Sequence, residues 1–457
     1  MAPRGRSILI EASEKGRTVD SFFKISERKS TTGNEIIGGL TTFLAMAYII
    51  AVNPNMLVVA GVPFDAALTA TCFGAAIMTI AMGLIANRPI ALASGMGINA
   101  IVAYTLCLGG AAVDWRVAMA IVFLEGIVIL ILVACGLRKA VMDAIPVSLR
   151  HAIGIGIGLF IAFIGLKGGG IIVANESTIL GLGDLSAPVA IVSLIAIAVA
   201  VVLQVLNVKG GLLISIIVAT IAGIPLGVTP LPSSWSFGLD FSAFAAPFQT
   251  IPGTDTMAIA QVFLQPALLL FVFSLLMSDF FDTMGTVVAV GEQADFVDEN
   301  GDVKDIQPIL MVDSAAAAVG GFVGASSVTS FVESTSGAAA GARTGLSNLV
   351  VGILFVIFAF ASPIIGMVSS SATCGALVVV GYLMLSDVIN IDWTRIEFAF
   401  PAFATIMGIP MTYSITNGIG FGFISYCVIM LVTGKAREVK PLMWVAAIAF
   451  LAMFILS

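Results

Sequence analysis

Long uncharged apolar segments recur along most of the chain and are separated by short polar connections. Residues 36–64 and 187–208 are two examples, and each exceeds the roughly 20 residues that an α-helix needs to cross a bilayer. Residues 344–386 contain no charged side chain, so they must hold two spans joined by a turn near Ser362 and Pro363. The pattern predicts a polytopic α-helical membrane protein.

Fourteen segments qualify as membrane spans on this basis. A further apolar segment, 441–456, is short for a crossing, and the sequence leaves open whether it crosses or lies in the interface. The predicted spans are residues 34–57, 65–86, 89–107, 115–136, 145–166, 187–206, 210–227, 260–290, 308–325, 329–342, 344–362, 366–386, 395–411 and 412–433.

The basic residues predict the orientation of these spans. Alternating the loops between the two sides places 18 of the 20 Lys and Arg residues on the side of the N-terminus, and only Arg116 and Lys167 on the other. Because positive charge concentrates in cytoplasmic loops, the N-terminus is predicted to be cytoplasmic. The expected location is the cell (inner) membrane, with the lipid bilayer as the surrounding partner.

The third and tenth spans are abnormal, and they occupy matching places in the two halves of the chain. Residues 89–100 and 326–337 are rich in Gly, Ser, Thr or Asn, and neither reads as a continuous apolar helix. Paired broken segments of this kind mark the midplane binding site of secondary transporters. Since each half has seven spans, the halves must run in opposite directions. The predicted fold is all-α, with about 14 spans as a seven-plus-seven inverted repeat.

Composition supports this fold and excludes several other classes. The chain is 59% hydrophobic and 10% charged, whereas soluble globular proteins are roughly 25% charged. Five scattered cysteines without a CxxC spacing predict neither a disulfide framework nor a metal site. We therefore expect no cofactor other than a coupling ion, and no nucleic-acid partner. Much of the net charge of -7 lies in residues 292–305, which are predicted to be a solvated connection.

Two carboxylates in the eighth span suit proton transfer. Asp279 and Asp282 are three residues apart, so they are expected on one face of the helix. A charge inside a span costs about 2.5 to 3.5 kcal/mol on insertion scales, so an acid there needs a functional reason. Two such acids repel when both are ionised, and a neutral carboxyl can also donate a hydrogen bond to a heteroaromatic ring. The alternative is that the pair lies beyond the membrane edge and begins the acidic loop.

Other polar groups near the broken spans suit recognition of a planar base. Glu333 can accept two ring N–H groups, Phe331 offers a stacking face, and Asn99 can both donate and accept. Each also has a structural alternative, namely a hydrogen bond within the broken helix, core packing or a helix cap. Glu125, alone in the fourth span, is either a polar partner within the bundle or a coupling group. Because His151 is the sole histidine, carboxylates must carry any proton coupling.

Four motifs in order resemble the AzgA-like purine permeases of the nucleobase/ascorbate transporter superfamily. The similarity extends from about residue 20 to about residue 433. One departure is Phe331, where the family resemblance leads us to expect a tyrosine. The motifs are residues 47–54 (AYIIAVNP), 95–100 (GMGINA), 279–286 (DFFDTMGT) and 331–346 (FVESTSGAAAGARTGL).

The resemblance implies uptake of adenine, guanine or hypoxanthine together with protons, in what is usually a homodimer. It implies a core domain that moves against a gate domain, which is an elevator type of alternating access. The expected divisions are a tail at 1–33, core segments at 34–136 and 260–362, gate segments at 137–227 and 363–457, and an external connection at 228–259.

The resemblance also places Asn99, Asp279, Asp282 and Glu333 on positions that the family uses for recognition or coupling. With the reasoning from the residues, this predicts two overlapping sets. The substrate set is Asn99, Asp282, Phe331, Glu333 and Ser334, and the proton-coupling set is Asp279, Asp282 and Glu125.

Two other functions compete with purine transport. An anion carrier on the same architecture is disfavoured because three carboxylates repel an anion, unless Arg343 turns inward to compensate them. An intramembrane aspartyl enzyme is disfavoured because its two acids should face each other from separate elements, whereas Asp279 and Asp282 are one turn apart. The sequence ranks neither the purines nor protons against sodium.

Overall fold

The structure is a computed structural model that describes residues 19–109, 111–136, 145–232, 235, 237–297 and 303–456. Residues 1–18 of the predicted tail and 298–302 of the acidic loop lie outside this description. Within the described residues, nine helices are long and apolar enough to cross a bilayer, and five shorter apolar helices accompany them. All fourteen predicted segments coincide with described elements, while the number of crossings itself stays a prediction.

The described residues of the first half form the following helices and strands. Two π-helical segments, Met82–Ala86 and Ile101–Cys107, extend α3 and α4. In chain order the elements are α1 (Thr32–Met46), α2 (Ile49–Val59), α3 (Phe64–Ala81), β1 (Leu92–Ser94), α4 (Met96–Ala100), α5 (Trp115–Ala134), α6 (Val147–Gly168), β2 (Ile172–Asn175), β3 (Ile179–Leu182), α7 (Pro188–Val205) and α8 (Gly211–Gly223).

The second half repeats the alternation of long helices around one short strand. The break predicted near Ser362 is present, since one helix ends at Ala359 and a single turn follows it. In order the elements are α9 (Ala258–Leu264), α10 (Ala267–Gln293), α11 (Ile306–Val323), β4 (Val328–Ser330), α12 (Ser334–Ala339), α13 (Leu346–Ala359), α14 (Ser362–Ile365), α15 (Ser370–Leu385), α16 (Ile396–Met411), α17 (Ile415–Val432) and α18 (Pro441–Leu456).

The two broken spans meet through their strands. β1 and β4 pair antiparallel, with Leu92 opposite Ser330 and Ser94 opposite Val328. The pairing continues on both sides, where Gly95 N donates to Ser327 O at 2.9 Å and Phe331 N donates to Ala91 O at 2.9 Å. Backbone groups that leave a helix inside a membrane protein need such internal partners. The prediction that the third and tenth spans are broken is therefore confirmed, and each strand leads directly into a short helix.

Glycines let the short helices approach their neighbours closely. A Cβ added to Gly337 in α12 would lie 2.0 Å from Thr42 Oγ1 and 2.5 Å from Gly38 O in α1. Likewise, a Cβ on Gly126 in α5 would lie 2.1 Å from Ala318 N in α11. These contacts leave no room for a side chain, so α12 is seated against α1 by backbone packing.

The helices pack in two groups. One group, which we call the larger bundle, contains α1 to α5 and α9 to α13, together with β1 and β4. The other, the smaller bundle, contains α6 to α8 and α15 to α17. Contacts between the bundles run mainly from α4 and α10 to α6 and α17. The broken spans thus belong to the larger bundle, and α4 faces the smaller one.

The acidic loop has the exposed acids expected of a solvated connection, and it also contacts the larger bundle. Phe296 is 2% exposed, and the Arg88 guanidinium lies over its ring at 4.6 Å from the centroid. Asp305 forms an ion pair with Arg88 at 3.3 Å, and Asp295 forms one with Arg343 at 3.4 Å. The described part of the loop is therefore fastened to the larger bundle, because an aromatic side chain and two ion pairs hold it there.

Candidate substrate-binding site

Glu333 stands at the start of α12 and has a fixed hydrogen-bond partner. Tyr48 Oη donates to Glu333 Oε1 at 2.6 Å, across 285 residues of sequence. Tyr48 is fully buried at the break between α1 and α2, whereas Glu333 is partly exposed. The tyrosine therefore orients the carboxylate from behind and leaves its exposed part available to a ligand. Sequence reasoning placed Tyr48 in a motif without giving it a role.

Asp279 and Asp282 occupy different environments, although they are one turn apart in α10. Asp279 is 1% exposed, while the side chain of Asp282 is exposed. The charges that act on Asp282 come from Asp313 and Glu333, so α10 and α12 bring Asp282 and Glu333 into one neighbourhood. The helix thus buries Asp279 in the bundle and leaves Asp282 exposed near Glu333, while the different roles predicted for the two acids stay predictions.

Asp313 is an acidic residue of this neighbourhood that sequence reasoning missed. Its carboxylate accepts hydrogen bonds from Thr283 Oγ1 at 2.6 Å, Ser330 N at 3.0 Å and Ser330 Oγ at 2.7 Å. It thereby ties α10 and α11 to the strand that precedes Glu333. The signal was present in the sequence, since Asp313 is a lone acid within a predicted span, as Glu125 is.

Glu125 and Asn99 are buried polar side chains without hydrogen-bond partners among the described residues. Both are 0% exposed, and neither carboxylate oxygen of Glu125 and neither amide atom of Asn99 has a partner there. The acids that act on Glu125 are Asp279 and Asp313. The alternative that Asn99 caps its helix is not observed. Because buried polar groups almost always bond to protein, water or ligand, Asn99 is the kind of group that a substrate would satisfy.

Phe331 and Ser334 take part in holding the two broken spans together. Ser334 is fully buried, and its Oγ accepts a hydrogen bond from Ala91 N at 3.0 Å. Phe331 is 6% exposed and packs into the apolar core, while its backbone N–H donates to Ala91 O, just before β1. In this conformation both predicted substrate residues therefore have structural contacts instead of an open face.

The cation that an anion carrier would require is turned away from this neighbourhood. Arg343 donates to the carbonyl oxygen of Ala342 at 2.8 Å and pairs with Asp295 of the acidic loop. Its own backbone N–H is held by Glu35 Oε1 at 2.8 Å. Arg343 therefore does not turn inward in this structure, as an anion site would require. Among the described residues, no group of three His, Cys, Asp or Glu side chains could hold a metal ion.

Comparisons with known proteins agree with this architecture. A family model described as "Permease family" matches residues 33–420. The guanine/hypoxanthine permease PbuO of Bacillus subtilis is 40% identical over 445 residues, which cover 95% of this chain and 100% of that protein. The adenine permease AdeP of Escherichia coli is 37% identical over 440 residues, covering 95% of each chain. These matches confirm the family relationship that the four motifs indicated.

Solved structures show the same fold. The transmembrane domain of the cyanobacterial bicarbonate transporter BicA superimposes with a TM-score of 0.62 and 16% identity, covering 84% of this chain and 97% of that domain. At this identity the likeness concerns the fold alone. The likeness confirms the predicted all-α inverted-repeat fold. The permease family and the permease relatives, for their part, support a multi-pass membrane protein that is not an enzyme. With a family model over most of its length and relatives at up to 40% identity, the chain belongs to the Permease family.

Proposed function

We propose that the protein imports purine nucleobases by proton symport. The observation that carries this proposal is the meeting of Asp282 and the Tyr48-bound Glu333 at the paired broken spans. Carboxylate oxygens accept the ring N–H groups of a purine, and such charge-assisted hydrogen bonds are strong. The relatives named for guanine, hypoxanthine and adenine support the same class of substrate.

In this proposal the ligand groups come from three elements of the larger bundle. Glu333 accepts ring N–H groups, Asp282 binds the base from α10, and the unpartnered amide of Asn99 satisfies a polar edge of the ring. Phe331 contributes apolar surface, and Ser334 joins the two broken spans through its bond with Ala91 N. A buried amide without a protein partner favours ligands with complementary donors and acceptors. This chemistry favours a heteroaromatic base over an anion.

The coupling proton is assigned to the buried acids behind the site. Asp279 and Glu125 are 1% and 0% exposed, and each acts on the other electrostatically. An ionised carboxylate in such a place is costly unless it is compensated, so one proton shared within the cluster is the favourable arrangement. Asp282, which is exposed, links this cluster to the substrate.

Transport would proceed by movement of the larger bundle, as the core domain, against the smaller bundle, as the gate domain. The packing of the helices in two groups supports this division, and the proposed boundaries at residues 136, 227 and 362 fall between them. We further propose a homodimer in the cell (inner) membrane with a cytoplasmic N-terminus. Protons are the proposed coupling ion, and no other cofactor is invoked.

A competition uptake panel in proteoliposomes tests the function. Labelled hypoxanthine uptake would be driven by an imposed pH gradient, with unlabelled adenine, guanine, xanthine, uracil and sulfate as competitors. We expect purines to compete, sulfate to have no effect, and a sodium gradient without a pH gradient to drive no accumulation. Competition by sulfate with none by purines would overturn the substrate class, and accumulation driven by sodium alone would overturn the coupling ion.

A further inference from the structure

One aromatic cluster joins the two bundles near the predicted outer surface. The ring of Tyr413, between α16 and α17, lies 5.7 Å from that of Tyr104, which belongs to the π-helical extension of α4. Within the smaller bundle the same ring packs against Phe160 at 5.0 Å and Phe163 at 5.8 Å. Lys167 Nζ lies 4.7 Å from its centroid. Tyr413 is thus held by the smaller bundle and presents one face to the larger bundle.

The backbone of Tyr413 is in a conformation that bulky residues rarely adopt. Its φ is 54°, in the left-handed region. Such a conformation is unfavourable for a non-glycine residue and persists where surrounding contacts hold it. Here the contacts are the two phenylalanine rings and the lysine of α6, so the corner between α16 and α17 points the tyrosine ring at Tyr104.

The contact lies directly beside the proposed substrate site. Tyr104 follows Asn99 by five residues in one continuous helical segment, about one turn of a π-helix. Closer to the site, a Cβ on Gly97 would lie 2.9 Å from Ile157 of α6, so the bundles are tightly packed there as well. Asp282 is nevertheless exposed, so solvent reaches the site from another direction.

We propose that Tyr104 and Tyr413 form the barrier that closes the site on the side of Lys167 in this conformation. The barrier separates when the larger bundle moves, and this part of the proposal rests on the proposed transport function. An edge-to-face pair of rings suits this task, because it excludes water when closed yet can part and re-form without breaking a covalent or ionic link. Tyr104 is the moving half of the barrier and Tyr413 the stationary half.

Reversible cross-linking tests the barrier with a matched control. Tyr104→Cys with Tyr413→Cys would link the two bundles, whereas Phe163→Cys with Tyr413→Cys would link two positions of the smaller bundle at nearly the same ring separation, 5.7 Å against 5.8 Å. Both pairs share the Tyr413 substitution, so its own effect cancels. A short bis-methanethiosulfonate reagent serves as the linker. The background would have the five native cysteines replaced: Cys72, Cys107, Cys135, Cys374 and Cys427.

Linking the two bundles should lower hypoxanthine uptake by more than about tenfold, since a blocked conformational step limits turnover, and reduction of the linker should restore it. The control pair should keep its uptake when linked. Detergent-solubilised protein with the first pair linked should still bind hypoxanthine, because the opposite side of the site stays open. Undiminished uptake after linking the first pair, or equal losses in both pairs, would overturn the barrier. Absence of uptake in the unlinked parent would count against the transport function instead.

Discussion

The two broken spans have the same shape, but the polar side chains that each contributes to the proposed site differ in their hydrogen bonding. Each consists of a three-residue strand that leads into a short helix, and the strands pair with each other. In the tenth span, Glu333 is bonded to Tyr48 and Ser330 to Asp313. In the third span, by contrast, the side chains of Ser94 and Asn99 are buried without partners among the described residues.

This difference indicates how the work of binding is divided between two halves of an inverted repeat. The tenth span is preorganised at Glu333 and Ser330, since these two groups already have protein partners that fix their orientation. The third span carries unsatisfied groups, whose cost is relieved when a ligand or water bonds to them. We infer that Glu333 of the tenth span makes the strongest contact with the base and that Asn99 of the third span hydrogen-bonds to its remaining polar edge.

The largest loss of affinity is expected for Glu333→Gln, which changes the preorganised carboxylate of the tenth span. An amide presents one oxygen and one NH2 group, so it cannot offer paired acceptors to two ring N–H groups. Each charge-assisted bond is worth about 1.5 to 3 kcal/mol, and one of the two is lost while the other loses its charge, so hypoxanthine binding should weaken by roughly 100-fold or more in a scintillation proximity assay. Glu333→Asp, which keeps the charge, should retain more affinity than Glu333→Gln. Parental affinity in the Gln variant would remove Glu333 from the site.

Substituting Asn for Asp279 or Asp282 in α10 distinguishes proton coupling from substrate binding. Each substitution imitates a protonated acid, so a coupling residue should retain purine exchange and lose accumulation against a gradient. We expect that phenotype for Asp279→Asn, because the residue is buried, and weaker binding for Asp282→Asn, because the residue is exposed. Exchange and concentrative uptake would be measured side by side. Parental accumulation by both variants would move the coupling site to Glu125.

Asn99→Ala tests the unsatisfied side of the comparison. If a ring atom loses its partner, binding should weaken by about 1 to 3 kcal/mol. The ligand-free protein should keep its melting temperature, since the amide has no partner among the described residues to lose. Purine selectivity and thermal stability would be measured on one preparation. A destabilised variant with unchanged selectivity would show a structural role and would cancel the proposed division between the two spans.

The smallest effect on binding is expected for Tyr48→Phe. Unlike Asn99→Ala, this substitution should also lower the melting temperature. Removing the hydroxyl deletes the bond to Glu333 Oε1 while leaving the ring and its packing in place. A net loss of about 1 kcal/mol is expected, which is roughly fivefold in affinity, together with a small decrease in melting temperature. Thr335→Val, a change to a neighbouring hydroxyl that bonds only locally to Val332 O, serves as the control. Equal effects of the two variants would show that Tyr48 does not orient the carboxylate.

Sequence reasoning located the broken spans and singled out acids whose roles stay predictions, and it missed what contacts between distant segments decide. Glu333, Asp279 and Asp282 were identifiable because an acid inside an apolar span is conspicuous. Asp313 could have been found by the same rule. The different exposures of Asp279 and Asp282 could not, because they depend on which helices pack against each side of α10.

Hydropathy by itself determined the positions of the helices, the two interruptions and the membrane setting, since each segment must satisfy the bilayer individually. The four motifs also determined the family, which residues 33–420 confirm. Only the tertiary structure decided that Tyr48 holds Glu333, that Ser334 bonds to Ala91 just before β1 and that Tyr104 contacts Tyr413. Those contacts join segments hundreds of residues apart, and their geometry follows from close packing of whole helices, which no local pattern encodes.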